Sequence, residues 1–190
     1  MNNRKIVLGI TGSSGAVYAQ TLIHQLCEIP DQWDQVGIVM SKNALINWDL
    51  EVNEQFRVPD KMKLYESNDF TAPFASGSAR YGTMIICPCS MGSLARIASG
   101  ISQDLLTRAA DVMIKERRRL ILVPRETPLS LVHLRNMVSI TESGAMVVPA
   151  IPSFYSNPQS KLDVIKTVTN RILDLAGFEI KTVRWGDDSV

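Results

Sequence analysis

Apolar positions along the chain switch repeatedly between two spacings. Ile6 to Ile10 form a short continuous run that gives way to the polar turn Thr11-Gly12-Ser13-Ser14-Gly15. Beyond it, Ala19, Leu22, Ile23, Leu26 and Cys27 recur at the spacing of one helix face, up to Pro30. Val36 to Met40 predict a second strand, leading through Ser41-Lys42 into a helix over residues 43–51. Met84 to Cys87 begin the next strand, and Ser90-Met91-Gly92-Ser93 open a helix that ends near Ser99. Residues 103–117 predict a strong helix with Leu105, Leu106, Ala109, Val112 and Met113 on one side. Leu120 to Val123 read as a strand, Pro124 to Pro128 as a turn, and 129–142 as a helix. Ala145 to Val148 give a fifth strand and 149–158 a proline-rich turn. A last amphipathic helix carries Leu162, Ile165, Val168, Ile172, Leu173 and Leu175 and stops at Gly177. The segment 52–80, with Pro59, Pro73 and a run of small residues, reads as a loop with little regular structure, which suggests function or an oligomer contact.

Short apolar strands alternating with helices predict an α/β fold, an open and mainly parallel sheet covered on both faces. In such sheets the ligand lies beyond the carboxyl ends of the strands. Residues 11–15, 41–42, 87–93, 123–128 and 149–155 therefore share one rim and are the segments to inspect.

Length and composition narrow the classes. The 190 residues predict one domain over 1–190, with 45% apolar residues, ordinary for a globular protein. Twenty basic side chains against 19 acidic ones leave a net charge of +1, which gives no broad pull toward nucleic acid or an anionic membrane. Any anion chemistry must come from local clusters. Cys27, Cys87 and Cys89 are too few and too unevenly placed for a disulfide framework, and Cys87-Pro88-Cys89 has no second Cys/His pair at zinc-ligand spacing. With no secretory apolar segment and no run near the roughly 18 residues of a membrane span, the expectation is a soluble, cytoplasmic protein.

On the rim, Gly9-Ile10-Thr11-Gly12-Ser13-Ser14-Gly15 does not have the G-x-G-x-x-G spacing, and Ser41-Lys42 stands where a ribose-binding acid would follow the second strand. A dinucleotide is disfavoured. The first loop and Ser90-Met91-Gly92-Ser93 can each cradle a phosphate at a helix N-terminus, or each be a plain tight turn. As cradles they suit a mononucleotide, with flavin mononucleotide (FMN) as one candidate. Arg125-Glu126, held between Pro124 and Pro128, reads as a charged pair at the buried end of a strand. Either it bridges to a neighbour, or Arg125 binds an anion or flavin edge and Glu126 moves a proton. Lys115 ends the 103–117 helix near the same strand, and the rest of the run 115–119 reads as a solvated face. Phe154-Tyr155 and Arg171 can add a second phosphate site, though each has a structural reading too. His24 and His133 lie on helices away from the rim, and neither a Ser/His/Asp set nor a metal cluster can be assembled.

Taken in order, the segments 9–19, 40–44, 69–79, 87–100, 104–130 and 152–160 resemble the UbiX-type flavin prenyltransferase family over nearly the whole chain. The resemblance implies a Rossmann-like or flavodoxin-like three-layer α/β/α domain, assembled as a dodecamer with flavin sites at subunit boundaries. It implies metal-independent transfer of a dimethylallyl group from dimethylallyl phosphate to reduced FMN, making prenylated FMN for a UbiD-type decarboxylase. Carried over by position, Gly12, Ser13, Ser14, Ser41, Ser90, Met91, Gly92, Ser93 and Arg125 would bind flavin. Lys115, Tyr155 and Arg171 would hold the prenyl phosphate, with Arg108 and Trp185 nearby. Glu126 would move a proton during ring closure, and Glu51 with Ser14 would assist departure of phosphate. Met91 departs from the small or hydroxyl residue of many relatives, which leaves only backbone donation there. The competing readings are the small subunit of an aromatic or hydroxyarylic acid decarboxylase and a non-catalytic FMN carrier. The related Cys-decarboxylating flavoproteins fit less well, since Val17 and Tyr18 stand where those carry a histidine.

Overall fold

The inner strands of the central sheet are apolar on both sides because helices cover both faces, and this is why they read as unbroken runs. The computed structural model describes residues 4–186. Six strands, β1 (Lys5–Ile10), β2 (Gln35–Met40), β3 (Met62–Tyr65), β4 (Thr83–Cys89), β5 (Arg119–Pro124) and β6 (Met146–Val147), form one sheet in the order β3-β2-β1-β4-β5-β6. Every neighbouring pair is parallel. The helices are α1 (Ala16–Glu28), α2 (Lys42–Glu51), α3 (Met91–Ala98), α4 (Leu105–Lys115), α5 (Leu131–Glu142) and α6 (Lys161–Leu175).

Alternation along each strand divides the core in two. Ile6, Leu8 and Ile10 of β1 and Val36, Ile38 and Met40 of β2 pack with Leu22 and Leu26 of α1 and Ile172 and Leu173 of α6. Val7, Val39, Met84, Ile86, Leu120 and Leu122 face the other way, against Leu94 of α3, Leu105 and Met113 of α4 and Ile140 of α5. The result is the expected three-layer α/β/α arrangement.

The segment 52–80 departs from expectation. It contains β3, paired with β2 from Val36↔Met62 to Val39↔Tyr65, and two 3₁₀ turns, Pro73–Ala75 and Gly77–Ala79. The sheet thus has six strands, and the 145–148 strand is the last of six, shortened to Met146–Val147. β3 was hidden because it is a four-residue edge strand with Lys63 and Leu64 exposed, so it lacks the two-sided burial that marks the others. Phe74 is fully buried, with Tyr65 and Tyr81 meeting its ring edge-on at 4.9 and 5.3 Å. Arg118, expected on a solvated face, clips this segment through the carbonyls of Gly77 and Tyr81, 2.6 and 3.2 Å away.

Cys87 and Cys89 are buried in β4, while Cys27 is exposed on α1. Burial pushes the Cys89 thiol up to about 12 and raises that of Cys87 as well. Because the thiolate is the nucleophile, alkylation of the native protein at mildly basic pH should stop at Cys27. Peptide mass spectrometry after iodoacetamide treatment checks this. Native labelling at Cys87 or Cys89 would mean that β4 opens readily.

Candidate functional site

Parallel strands bring all their carboxyl ends to one rim, and side-chain hydrogen bonds lock the loops there together. Thr11, buried after β1, is the central tie. Its Oγ1 donates to the Pro88 carbonyl at 2.9 Å and accepts from the Ser90 amide at 2.7 Å, so it joins the first loop to the turn that starts α3. Ser41 continues the rim on the other side, its amide donating to the Ile10 carbonyl at 3.0 Å. Arg125 Nε donates to the Ser14 carbonyl at 2.8 Å and ties the loop after β5 to the loop after β1. The first loop sits close to α2. A Cβ on Gly12 would lie 2.3 Å from Asn43 Cβ, so only glycine fits there without a shift.

The two hydroxyl-rich turns differ in what they offer. At the start of α1, the Gly15 and Ala16 amides donate to Glu51 Oε2 at 2.7 and 2.8 Å. An internal carboxylate thus takes the position at which a helix N-terminus would meet a phosphate. The expectation that this loop presents those amides to a ligand is corrected accordingly. At α3, Ser90 Oγ accepts from the Ser93 amide at 3.2 Å, as a helix cap. Among the described residues, the Met91 and Gly92 amides have no protein acceptor. The Met91 side chain is buried in the core, so at the rim this residue presents backbone, as its departure from the family pattern implied. Ser90 Oγ and Arg96 Nη2 both donate to Ser93 Oγ, each at 3.1 Å, which leaves the Ser93 proton to donate elsewhere. Ser13 Oγ, in the adjoining loop, is buried without a partner among the described residues. Free amides, an oriented hydroxyl and an orphaned one fit the phosphate and polar edge of FMN.

A separate cavity of about 560 Å³ lies between α6, the 153–159 loop and residues 181–185, and is lined by Tyr155, Arg171, Arg184 and Trp185 among others. Tyr155 and Trp185 meet edge-on at 5.6 Å. Arg171 Nη1 and Arg184 Nη2 each reach Asp174, at 2.8 Å to Oδ2 and Oδ1 respectively. The hydrogen bond from Arg184, with the charges of both arginines behind it, holds the Asp174 carboxyl below its usual range. The carboxylate therefore stays ionised, and paired, until the pH falls below that lowered value.

Other expected site residues lie elsewhere in the chain. Lys115 does not join the carboxyl-end rim. A helix that precedes a parallel strand must end at the strand's amino end, and there Lys115 Nζ pairs with Glu116 at 2.7 Å. Hydrogen bonding from Lys115 lowers the Glu116 carboxyl below its usual range. Arg108, also on α4, bonds the Ala75 carbonyl and Asp111 at 3.0 and 2.9 Å, in the helical layer opposite α6. Arg125 and Glu126 are not a desolvated pair. Arg125 is half-buried, while Glu126 is exposed and, among the described residues, accepts only from the Thr127 amide, at 3.1 Å. His133 Nδ1 accepts from the Ser130 amide in a helix cap. Thr11, Asn43, Arg96 and Asp174 escaped the sequence reading. Of these only Thr11, a polar residue directly after a buried strand, carried a local signal.

A parallel sheet whose rim offers free amides at the start of α3, with Ser41-Lys42 after its second strand, fits the class of mononucleotide-binding α/β proteins. The Flavoprotein family model matches residues 1–177. The flavin prenyltransferase LpdB of Lactiplantibacillus plantarum is 43% identical over 188 residues, covering 97% of this chain and 100% of that protein. The crystal structure of AnUbiX (PadA1) in complex with FMN and dimethylallyl pyrophosphate superposes with a TM-score of 0.86 at 40% identity, covering 97% of this chain and 100% of that one. A dodecameric FMN-dependent UbiX-like decarboxylase from Escherichia coli O157:H7 gives a TM-score of 0.87 at 40% identity, covering 92% of this chain and 96% of that one. The chain belongs to the Flavoprotein family and, within it, to the UbiX-type flavin prenyltransferases. Among the described residues no helix is long and apolar enough to cross a membrane.

Proposed function

We propose that the protein transfers a dimethylallyl group from its phosphate ester to reduced FMN without a metal ion, and that the product serves a UbiD-type decarboxylase in the cytoplasm. The observation that supports this reading is that the chain has, besides the free amides at the start of α3, a second cavity lined by Lys166, Arg171, Lys181 and Arg184. The rim cradle at α3 suits the flavin phosphate, and the cationic cavity beside α6 suits a second phosphate ester. A carrier of FMN needs only the first.

In this reading Gly12, Ser13, Ser14, Ser41 and the 90–93 turn hold the flavin, and Arg125 closes over it from the loop after β5, which it ties to Ser14. Reduced flavin supplies the nucleophilic nitrogen. Loss of phosphate from an allylic carbon leaves negative charge on the departing group, and in this reading Arg171 and the Tyr155 hydroxyl are the donors that meet it. The Tyr155 and Trp185 rings offer π faces to the electron-poor prenyl chain. Glu51 lies beneath Ser14 and Glu126 beside Arg125, where each can hold or move a proton at the rim. Lys115 and Arg108 reach a site only as a neighbouring copy's residues, so the complete donor site needs an oligomer. A dodecamer, the state of the relative from Escherichia coli, supplies one.

Purified protein incubated anaerobically with reduced FMN and dimethylallyl phosphate, and separately with the diphosphate, without added metal, is expected to yield a flavin heavier by one prenyl unit in mass spectrometry. Tight FMN binding with no adduct from either donor would overturn the transferase reading in favour of a carrier.

A further inference from the structure

Asp174 occupies an unfavourable place for a carboxylate. It lies in the last turn of α6, where the negative end of the helix dipole repels it. Its two ion pairs do little for stability, since Arg171 and Arg184 are 62% and 52% exposed and water screens such pairs. What the carboxylate does is geometric. Oδ2 takes Arg171, which is one helical turn back on the same face, and Oδ1 takes Arg184, ten residues onward in a segment without regular structure. That segment runs back along α6, with Asn170 Nδ2 donating to Thr182 Oγ1 at 3.1 Å, and it ends with Trp185 against Tyr155. The other acid on the cavity wall, Asp163, is engaged with Ser160 and the Gln159 amide at the start of α6. Asp174 is thus the acid that sits between two cavity-lining arginines.

We propose that Asp174 is a positioning residue, which fixes the Arg171 guanidinium for the donor's phosphate and clasps the 180–186 segment as a wall of the same cavity. This deepens the transferase reading and rests on it for the identity of the donor. Only Nη1 of Arg171 is engaged by Asp174, and the guanidinium lines the cavity. A phosphate arriving there meets a cation whose orientation is already set, so less side-chain freedom is lost on binding.

Asp174→Asn keeps the shape and removes the charge. Its KM for dimethylallyl phosphate is expected to rise about tenfold, the scale of one charge-assisted hydrogen bond, with kcat, FMN affinity and Tm little changed. In the same variant without any ligand, amide hydrogen exchange across 178–186 should quicken several-fold. Asp174→Glu should recover most of both effects. An unchanged or lowered KM would mean that Asp174 only competes with the phosphate, and unchanged exchange would mean there is no clasp; either result overturns the proposal. So does a parallel fall in FMN affinity and Tm, which marks a general structural role. If the wild type transfers no prenyl group, the functional reading fails, and exchange together with the Kd for inorganic phosphate decides the clasp on its own.

Discussion

Alanine in place of Gly12 is expected to weaken FMN binding about tenfold to a hundredfold while the sheet stays folded. The added Cβ would lie 2.3 Å from Asn43 Cβ and 3.2 and 3.3 Å from the Asn43 carbonyl carbon and Cα. Those atoms belong to the first turn of α2 and cannot swing aside as the tip of a flexible side chain would. Nor is α2 free to slide, because Glu51 at its far end holds the Gly15 and Ala16 amides. Relief must therefore come from the 11–14 loop or from Ser41, the segments assigned here to the cofactor. Titration of the variant with FMN, beside a thermal melt, separates the two effects. Unchanged affinity would remove the flavin from this rim.

Phe74→Ala carries the largest expected cost in stability, about 3–5 kcal/mol. The ring is fully buried beneath the sheet, and a Cβ on Gly37 of β2 would lie 2.5 Å from its Cε1. The sheet thus omits a side chain so that this ring can enter, and nothing on that strand position can refill the hole. Tyr65 and Tyr81 would also lose the ring they meet edge-on. Urea denaturation of wild type and variant gives the difference directly. A loss under about 1 kcal/mol would mean that the 70–80 segment is a surface loop with no share in the core.

The same ring marks where the sequence was hard to read. β1, β2, β4 and β5 were legible because burial on two faces writes a continuous apolar run into each. β3 carries Lys63 beside its apolar residues, and Phe74 sits among small and polar neighbours, so neither produces a period. At the site, the rim segments followed from topology alone. The duties within them did not, because a serine before a helix looks the same whether it caps the helix or binds a ligand. Ser41 and Ser90 cap, while Ser13 is left without a partner among the described residues. Lys115 is close to β5 in sequence, as expected, but chain direction puts it at the end of that strand opposite the rim, which closeness in sequence does not reveal. Asp174 gave no sign in the sequence because its meaning depends on a tail that folds back along α6.

The carboxylate beneath the first loop also bears on which ligands this fold can accept. In a dinucleotide-binding sheet the first helix receives the bridging phosphates. Here Glu51 behaves as a resident surrogate anion, covalently part of the chain and held at high effective concentration, so an incoming phosphate cannot displace it cheaply. Selection against the larger nucleotide is thereby built into the fold as self-occupancy. An engineer seeking to convert this scaffold to a dinucleotide would have to evict Glu51 before adding any new contact.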